Sequence, residues 1–176
     1  GTSESLFSLK EAKALGALVI GTVGSPAKAE LARAHGCDHV INYSTENFTA
    51  RVREITGGEG VAVVYDGVGK DTFAGSLDSL RPMGMMVSYG NASGPVPPLD
   101  LIQLSQKGSL FVTRPTLMNY TAKRADLVAL GDELFGVVGS GQVRVEVHQT
   151  YALKDAVQAH RDLEARKTTG STLLLP

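Results

Sequence analysis

Residues 61–90 read VAVVYDGVGKDTFAGSLDSLRPMGMMVSYG, and their reading decides the architecture of the chain. Residues 61–65 form an apolar, β-branched run too short for a helix, which predicts a buried strand. Asp66-Gly67-Val68-Gly69 interrupts it with two glycines free to adopt positive φ. Phe73, Leu77 and Leu80 then recur at helical spacing, so residues 71–80 predict a helix. Arg81-Pro82-Met83-Gly84 closes that helix, and residues 85–89 read as a second strand before Gly90. Strand, helix and strand in so short a stretch make a βαβ unit, with parallel strands and a right-handed crossover. Ligands on such sheets bind beyond the carboxyl ends of the strands, here residues 66–69 and 89–93.

The same alternation extends in both directions. Upstream, Leu6, Phe7, Leu9, Ala12, Ala14 and Leu15 give a helical pattern that Gly16 closes, and residues 17–23 read as a strand. Ser25-Pro26 opens a helix over residues 27–34, residues 39–42 form a short strand, and residues 46–55 form a helix. Downstream lie a proline-rich loop at 91–98, a short helix at 99–106 and an apolar strand at 109–113. The longest helix spans 121–138, with Leu127, Leu130, Leu134, Val137 and Val138 on one side. Val143, Val145 and Val147 then alternate with Arg144, Glu146 and His148, the period of a half-buried strand, before a helix at 153–166 and a strand at 171–175. The pattern predicts an α/β, doubly wound parallel sheet over residues 17–140, with a β-α-β segment after Gly141 in another layer.

At 176 residues the chain is long enough to bury a core as one ordinary domain. A net charge of −1 with dispersed basic residues recommends neither nucleic acid nor an anionic membrane. No apolar run reaches the length of a membrane span. The single Cys37 excludes an internal disulfide and suits a reducing cytoplasm. Cys37-Asp38-His39 lacks a second ligand pair at zinc spacing, and His35, His39, His148 and His160 are scattered. No G-x-S-x-G elbow nominates a serine nucleophile. Asp66 reads as a turn-capping aspartate at a strand end.

The informative chemistry lies at residues 20–28, IGTVGSPAK. Dinucleotide-binding sheets that take NAD place an acidic residue near the end of the second strand, on the ribose 2′-hydroxyl. This chain offers only Gly, Ser and Thr there, and Lys28 stands in the first turn of the following helix, whose N-terminus favours an anion. These features suit NADP(H). They are equally those of an ordinary helix start with a solvated lysine. Tyr43 reads either as a platform for adenine or as a half-buried strand-end tyrosine, and Tyr89-Gly90 either as a close approach to a ligand or as a plain turn.

Several longer blocks carry a resemblance: INYSTENF, ITGGEGVAVVYDGVGKDTF, SLRPMG, SYGNASGPVPPLDL, LSQKGSLFVTRPTL and ARKTTGSTLLLP. From Ala12 to Pro176 the chain resembles the bacterial NADPH:quinone oxidoreductases, of the zinc-independent, zeta-crystallin-like branch of the medium-chain dehydrogenase/reductases. The resemblance implies a Rossmann-type NADP(H)-binding domain over residues 1–140, incomplete at its N-terminus, and a segment over 141–176 that belongs to the catalytic domain. It implies NADPH as cofactor, hydride transfer to a quinone or other enone, no metal and no catalytic side chain of the chain's own. Cofactor contacts fall on Ser25, Lys28 and Tyr43 at the adenosine end, and on Gly69, Tyr89, Gly90, Phe111 and Thr113 at the nicotinamide end. Arg166 matches a basic residue that reaches back to the phosphates. Tyr89 stands where phenylalanine is also common, and Ala92 replaces a small hydroxyl residue.

A homodimer paired through the edge strand from Ser109 to Thr113 and a cytoplasmic location complete the expectation. The sequence departs from the pattern in lacking the first strand and its glycine-rich loop, AAxGGVG or similar. In the strand order 3-2-1-4-5-6 that strand is central, so its loss leaves two rows of backbone groups to be paired. The chain alone is therefore expected to be incomplete as an enzyme. Two other readings stay open: an inactive nucleotide-binding or dimerisation fragment, and the enoyl-reductase domain of a larger synthase.

Overall fold

The computed structural model describes residues 12–143, 145, 147–165 and 167–176. The expected contact of Arg166, and the start of the first helix at Leu6, Phe7 and Leu9, lie outside these residues. In chain order the elements are β1 (Ile20–Val23), α1 (Pro26–Ala34), β2 (His39–Asn42), α2 (Phe48–Ile55), β3 (Val61–Asp66), α3 (Phe73–Asp78) and β4 (Leu80–Ser88). They continue with α4 (Ile102–Gln106), β5 (Phe111–Thr113), α5 (Leu117–Tyr120), α6 (Arg124–Gly139), β6 (Val147–Ala152), α7 (Ala156–Glu164) and β7 (Ser171–Leu175). The chain divides into two compact units. One holds the described residues up to Ser44 and those from Ala129 onward, the other Thr45–Val128.

Among the described residues all strand pairing is parallel, as the sequence pattern predicts. The strands of the described residues form three sheets, ordered β1-β2, β3-β4-β5 and β6-β7. Among the described residues β1 pairs only with β2, and β3 only with β4. Each therefore keeps one unpaired edge.

In the first unit, Val23, Ala29, Ala32 and Cys37 form a small buried cluster with Val19 and Val40 against it. Ser25 caps α1, accepting a hydrogen bond from the Lys28 backbone N–H at 3.4 Å, and Pro26 occupies the first turn, where its missing N–H costs nothing. Gly16 stops the helical turn at 12–14 with φ +78°, as its position predicts. Burial pushes the Cys37 thiol up, away from the reactive thiolate.

The second unit centres on Phe73, Leu77, Leu80, Met86 and Leu110. Arg53 staples it together. Its guanidinium donates to the carbonyls of Gly58, Glu59, Asp78 and Leu80, joining the end of α2 to the end of α3 and the start of β4. Those of Gly58, Glu59 and Asp78 belong to a turn and a helix end, where no helical or strand ladder satisfies them, and that of Leu80 opens β4.

Four expectations need correction. Residues 81–84 do not separate a helix from a strand; they bulge within β4, whose register slips between Leu80 opposite Val61 and Met85 opposite Val63. Met83 takes φ +58° there, and its N–H finds the Gly108 carbonyl at 2.7 Å, so tertiary pairing sets the strand's start. The β3 run is only partly buried: Val61 and Val64 pack against the second unit's cluster, but Val63 is 42% and Tyr65 67% exposed, and only Asp66 is enclosed. The long helix starts at Arg124 after a separate short α5, and its apolar stripe is not buried, with Leu127, Leu130 and Leu134 each 42% exposed. The strand expected at 143–150 lies instead at Val147–Ala152, paired with β7.

Arg53→Lys keeps one charge but cannot reproduce the guanidinium fork. We expect it to destabilise the Thr45–Val128 unit by about 1–3 kcal/mol, read from the urea midpoint of Tyr65 and Tyr89 fluorescence. An unchanged midpoint would show that the staple contributes nothing net.

Candidate functional site

Two groups of candidate residues lie in the two units. In the first, α1 begins just beyond the carboxyl end of β1. No acidic residue stands in its first turn, and the positive end of the helix dipole together with the half-buried Lys28 makes a setting that favours an anion. Tyr43 follows β2 and lays its ring over the turn: a methyl group on Gly24 would lie 2.7 Å from the Tyr43 hydroxyl oxygen. Ser44 donates its hydroxyl to the Gly24 carbonyl at 3.0 Å, and Asn42 Oδ1 accepts the Ser44 N–H at 3.1 Å. Ser25, Lys28 and Tyr43 are thus brought together around one turn. Ser44, which the sequence did not single out, fixes that turn.

In the second unit the carboxyl ends of β3, β4 and β5 meet. The turn after β3 carries Gly69 at φ +90° and buries it, and a methyl group there would lie 2.7 Å from the Gly94 carbonyl. Gly90 crosses over Gly67 so closely that a methyl group on it would lie inside contact distance of the Gly67 carbonyl oxygen, and 2.8 Å from the Gly67 Cα. The Tyr89 ring covers Gly67, its Cζ 2.9 Å from where a methyl group would sit, and remains 38% exposed. Gly69, Tyr89 and Gly90 therefore form one backbone-rich platform. Thr113 is opposite Val87 at its margin, whereas Phe111 is opposite Met85, about 7 Å further back along the strand.

Beyond Thr113, the Arg114 guanidinium donates to Ser88 Oγ and the Gly90 carbonyl at 3.1 Å each, and to Asn91 Oδ1 at 3.3 Å. The sequence did not flag Arg114. Its only local sign is an arginine at a strand end ahead of a proline, which is too common to stand out. Asp66 caps the turn as expected, accepting the Val68 and Gly69 N–H groups at 2.8 and 3.0 Å. Among the described residues no group of three or more His, Cys, Asp or Glu is placed to hold a metal ion, and no helix is long and apolar enough to cross a membrane.

Parallel strands alternating with helices, with glycine turns at their carboxyl ends, define a nucleotide-binding type of α/β domain. Residues 5–130 match the family described as zinc-binding dehydrogenase, and the chain belongs to that family. It is 56% identical over 171 residues to a quinone oxidoreductase of Pseudomonas aeruginosa, an overlap covering 97% of this chain and 53% of that protein. It is 49% identical to a 2-haloacrylate reductase of Burkholderia, covering 94% of this chain and half of the relative. Among solved structures, an Escherichia coli quinone oxidoreductase complexed with NADPH superposes with a TM-score of 0.94 at 50% identity, over 99% of this chain and 54% of that one. The chain thus spans about half the length of these relatives. The expected Rossmann-like parallel α/β fold is that of its neighbours.

Where a methyl group meets backbone it cannot be absorbed by rotating a side chain. Gly90→Ala should cost about 1–3 kcal/mol of stability through forced backbone shifts, whereas Gly131→Ala on α6, where nothing lies within 4 Å, should stabilise by about 0.5–1 kcal/mol. Urea unfolding of the two variants checks the pair. Equal effects would remove the case for a tight Gly67–Gly90 crossing.

Proposed function

We propose that this chain is the cofactor-binding part of a zinc-independent, NADPH-dependent quinone oxidoreductase. The observation that carries the reading is 50% identity across 99% of the chain with a quinone oxidoreductase held in complex with NADPH. NADPH, when bound, supplies hydride for a quinone or related conjugated acceptor; a relative that reduces a 2-haloacrylate suits an electron-poor alkene in the same role.

In this proposal the chain's own residues bind and orient. Ser25, Lys28 and Tyr43 hold the 2′-phosphate and adenosine, the ammonium of Lys28 balancing a dianion that an acidic residue would repel. The absence of an acidic residue from the first turn of α1 supports that assignment, as does the Tyr43 ring beside the turn. Gly69, Tyr89 and Gly90 take the nicotinamide ribose against backbone, Phe111 and Thr113 the carboxamide side, and Arg166 the phosphates. No side chain is assigned a catalytic role. Residues 1–140 form the nucleotide-binding domain and 141–176 belong with the catalytic domain.

The protein works in the cytoplasm as a homodimer joined through the edge strand from Ser109 to Thr113. Support for the dimer is that β5 ends the β3-β4-β5 sheet with Phe111 56% and Val112 37% exposed, an apolar edge that needs cover.

Lys28→Glu places like charge beside the phosphate. NADPH binding should weaken by at least about tenfold, roughly 1.4 kcal/mol, with a much smaller change for NADH, measured by titrating cofactor fluorescence. Equal losses for both cofactors would overturn the assignment of Lys28. Val112→Lys should move the chain towards monomer in sedimentation velocity. A wild-type chain that stays folded and monomeric at high concentration would contradict edge pairing.

A further inference from the structure

The platform at the carboxyl ends of β3 and β4 is built around one buried side chain. Asp66 is 4% exposed. Its Oδ1 accepts the Val68 N–H at 2.8 Å, the Gly69 N–H at 3.0 Å and the Thr72 hydroxyl at 3.0 Å. Its Oδ2 accepts the hydroxyls of Thr72 and Ser76, each at 2.8 Å. Every one of these donors is neutral. The two backbone bonds shape the turn, and the two hydroxyl groups tie it to the start of α3.

That turn is in turn the scaffold for the loop after β4. The Tyr89 N–H donates to the Asp66 carbonyl at 2.9 Å, the Ala92 N–H to the Gly67 carbonyl at 3.2 Å, and the Ser93 N–H to the Val68 carbonyl at 2.8 Å. The Ser93 hydroxyl adds a bond to the same Val68 carbonyl at 2.9 Å. The three carbonyls point where they do because Asp66 fixes the turn that carries them.

We propose that Asp66 is the positioning residue of this platform, and that it acts through the arrangement of its acceptors rather than through its negative charge. The consequence for cofactor binding rests on the reading given under Proposed function. The chemistry separates geometry from charge. Backbone N–H groups can only donate, but the hydroxyls of Thr72 and Ser76 can turn and accept. An asparagine at this position can therefore keep its oxygen on Val68 and Gly69 while its amide nitrogen donates to Ser76. The platform survives that exchange. Alanine leaves two buried N–H groups without an acceptor.

The test compares wild type, Asp66→Asn and Asp66→Ala in the full chain, by amide hydrogen exchange followed by NMR. In Asp66→Ala the amides of Val68, Gly69, Ala92 and Ser93 should exchange at least about tenfold faster, and those of β1 and β2 should stay unchanged. In Asp66→Asn all should remain within about threefold of wild type. The same proteins are titrated with NADPH, where Ala should bind about tenfold more weakly and Asn within about threefold of wild type. Fast exchange in the Asn variant overturns the proposal, and so does an Ala variant indistinguishable from wild type. Should Asp66→Ala fail to fold, the Asn variant decides alone: protection within threefold supports the positioning role, and tenfold faster exchange refutes it. A wild-type chain that does not bind NADPH would count against the proposed function while leaving the exchange result to judge Asp66.

Discussion

The crossing of Gly90 over Gly67 is the contact on which the second unit depends. Two parallel strands can bring their exits this close only where no side chain stands between them. Here β3 and β4 leave the sheet through backbone pressed on backbone, and a methyl group on Gly90 would meet the Gly67 carbonyl. Asp66 holds one exit from below, and Arg114 holds the other from the end of the neighbouring strand. Three strands thus contribute one group each to a surface made largely of peptide. A surface of this kind presents N–H and C=O groups at fixed positions, which side chains with free rotors cannot do at so low an entropic cost.

The first unit solves a similar problem with different means. Its turn is short, and the start of α1 does the chemical work: a serine cap, a proline in the first turn and no acidic side chain. Tyr43 and Ser44, arriving from β2, brace the turn against a neighbouring strand end. In both units the carboxyl ends of parallel strands carry the polar apparatus, and the apolar clusters lie behind them.

Tyr65 on β3, Met118 on α5 and Phe135 on α6 are each well over half exposed, and among the described residues one edge each of β1 and β3 is unpaired. Exposed apolar side chains in such numbers mark surfaces suited to contact with other polypeptide. The chain spans about half the length of relatives that share its fold.

The sequence by itself determined the alternation of strands and helices apart from the short α5, the parallel sense of the pairing, and the turns at Ser25, Gly16 and Asp66. Those features follow from interactions between residues close along the chain: a cap, a positive φ, an apolar period. It also carried the candidate positions Ser25, Lys28, Tyr43, Gly69, Tyr89 and Gly90, because glycines and caps at strand ends are local signals. The tertiary structure alone decided the bulge at residues 81–84, where the Gly108 carbonyl captures Met83 from another part of the chain. It alone decided that part of the β3 run and the α6 stripe stay uncovered, since apolar periodicity states which face seeks burial and not whether anything reaches it. The reach of Arg114 to Gly90 and of Arg53 to four carbonyls was likewise invisible in the sequence. A long cation bonding distant backbone leaves no pattern in its neighbours, because its partners are peptide groups that every residue possesses.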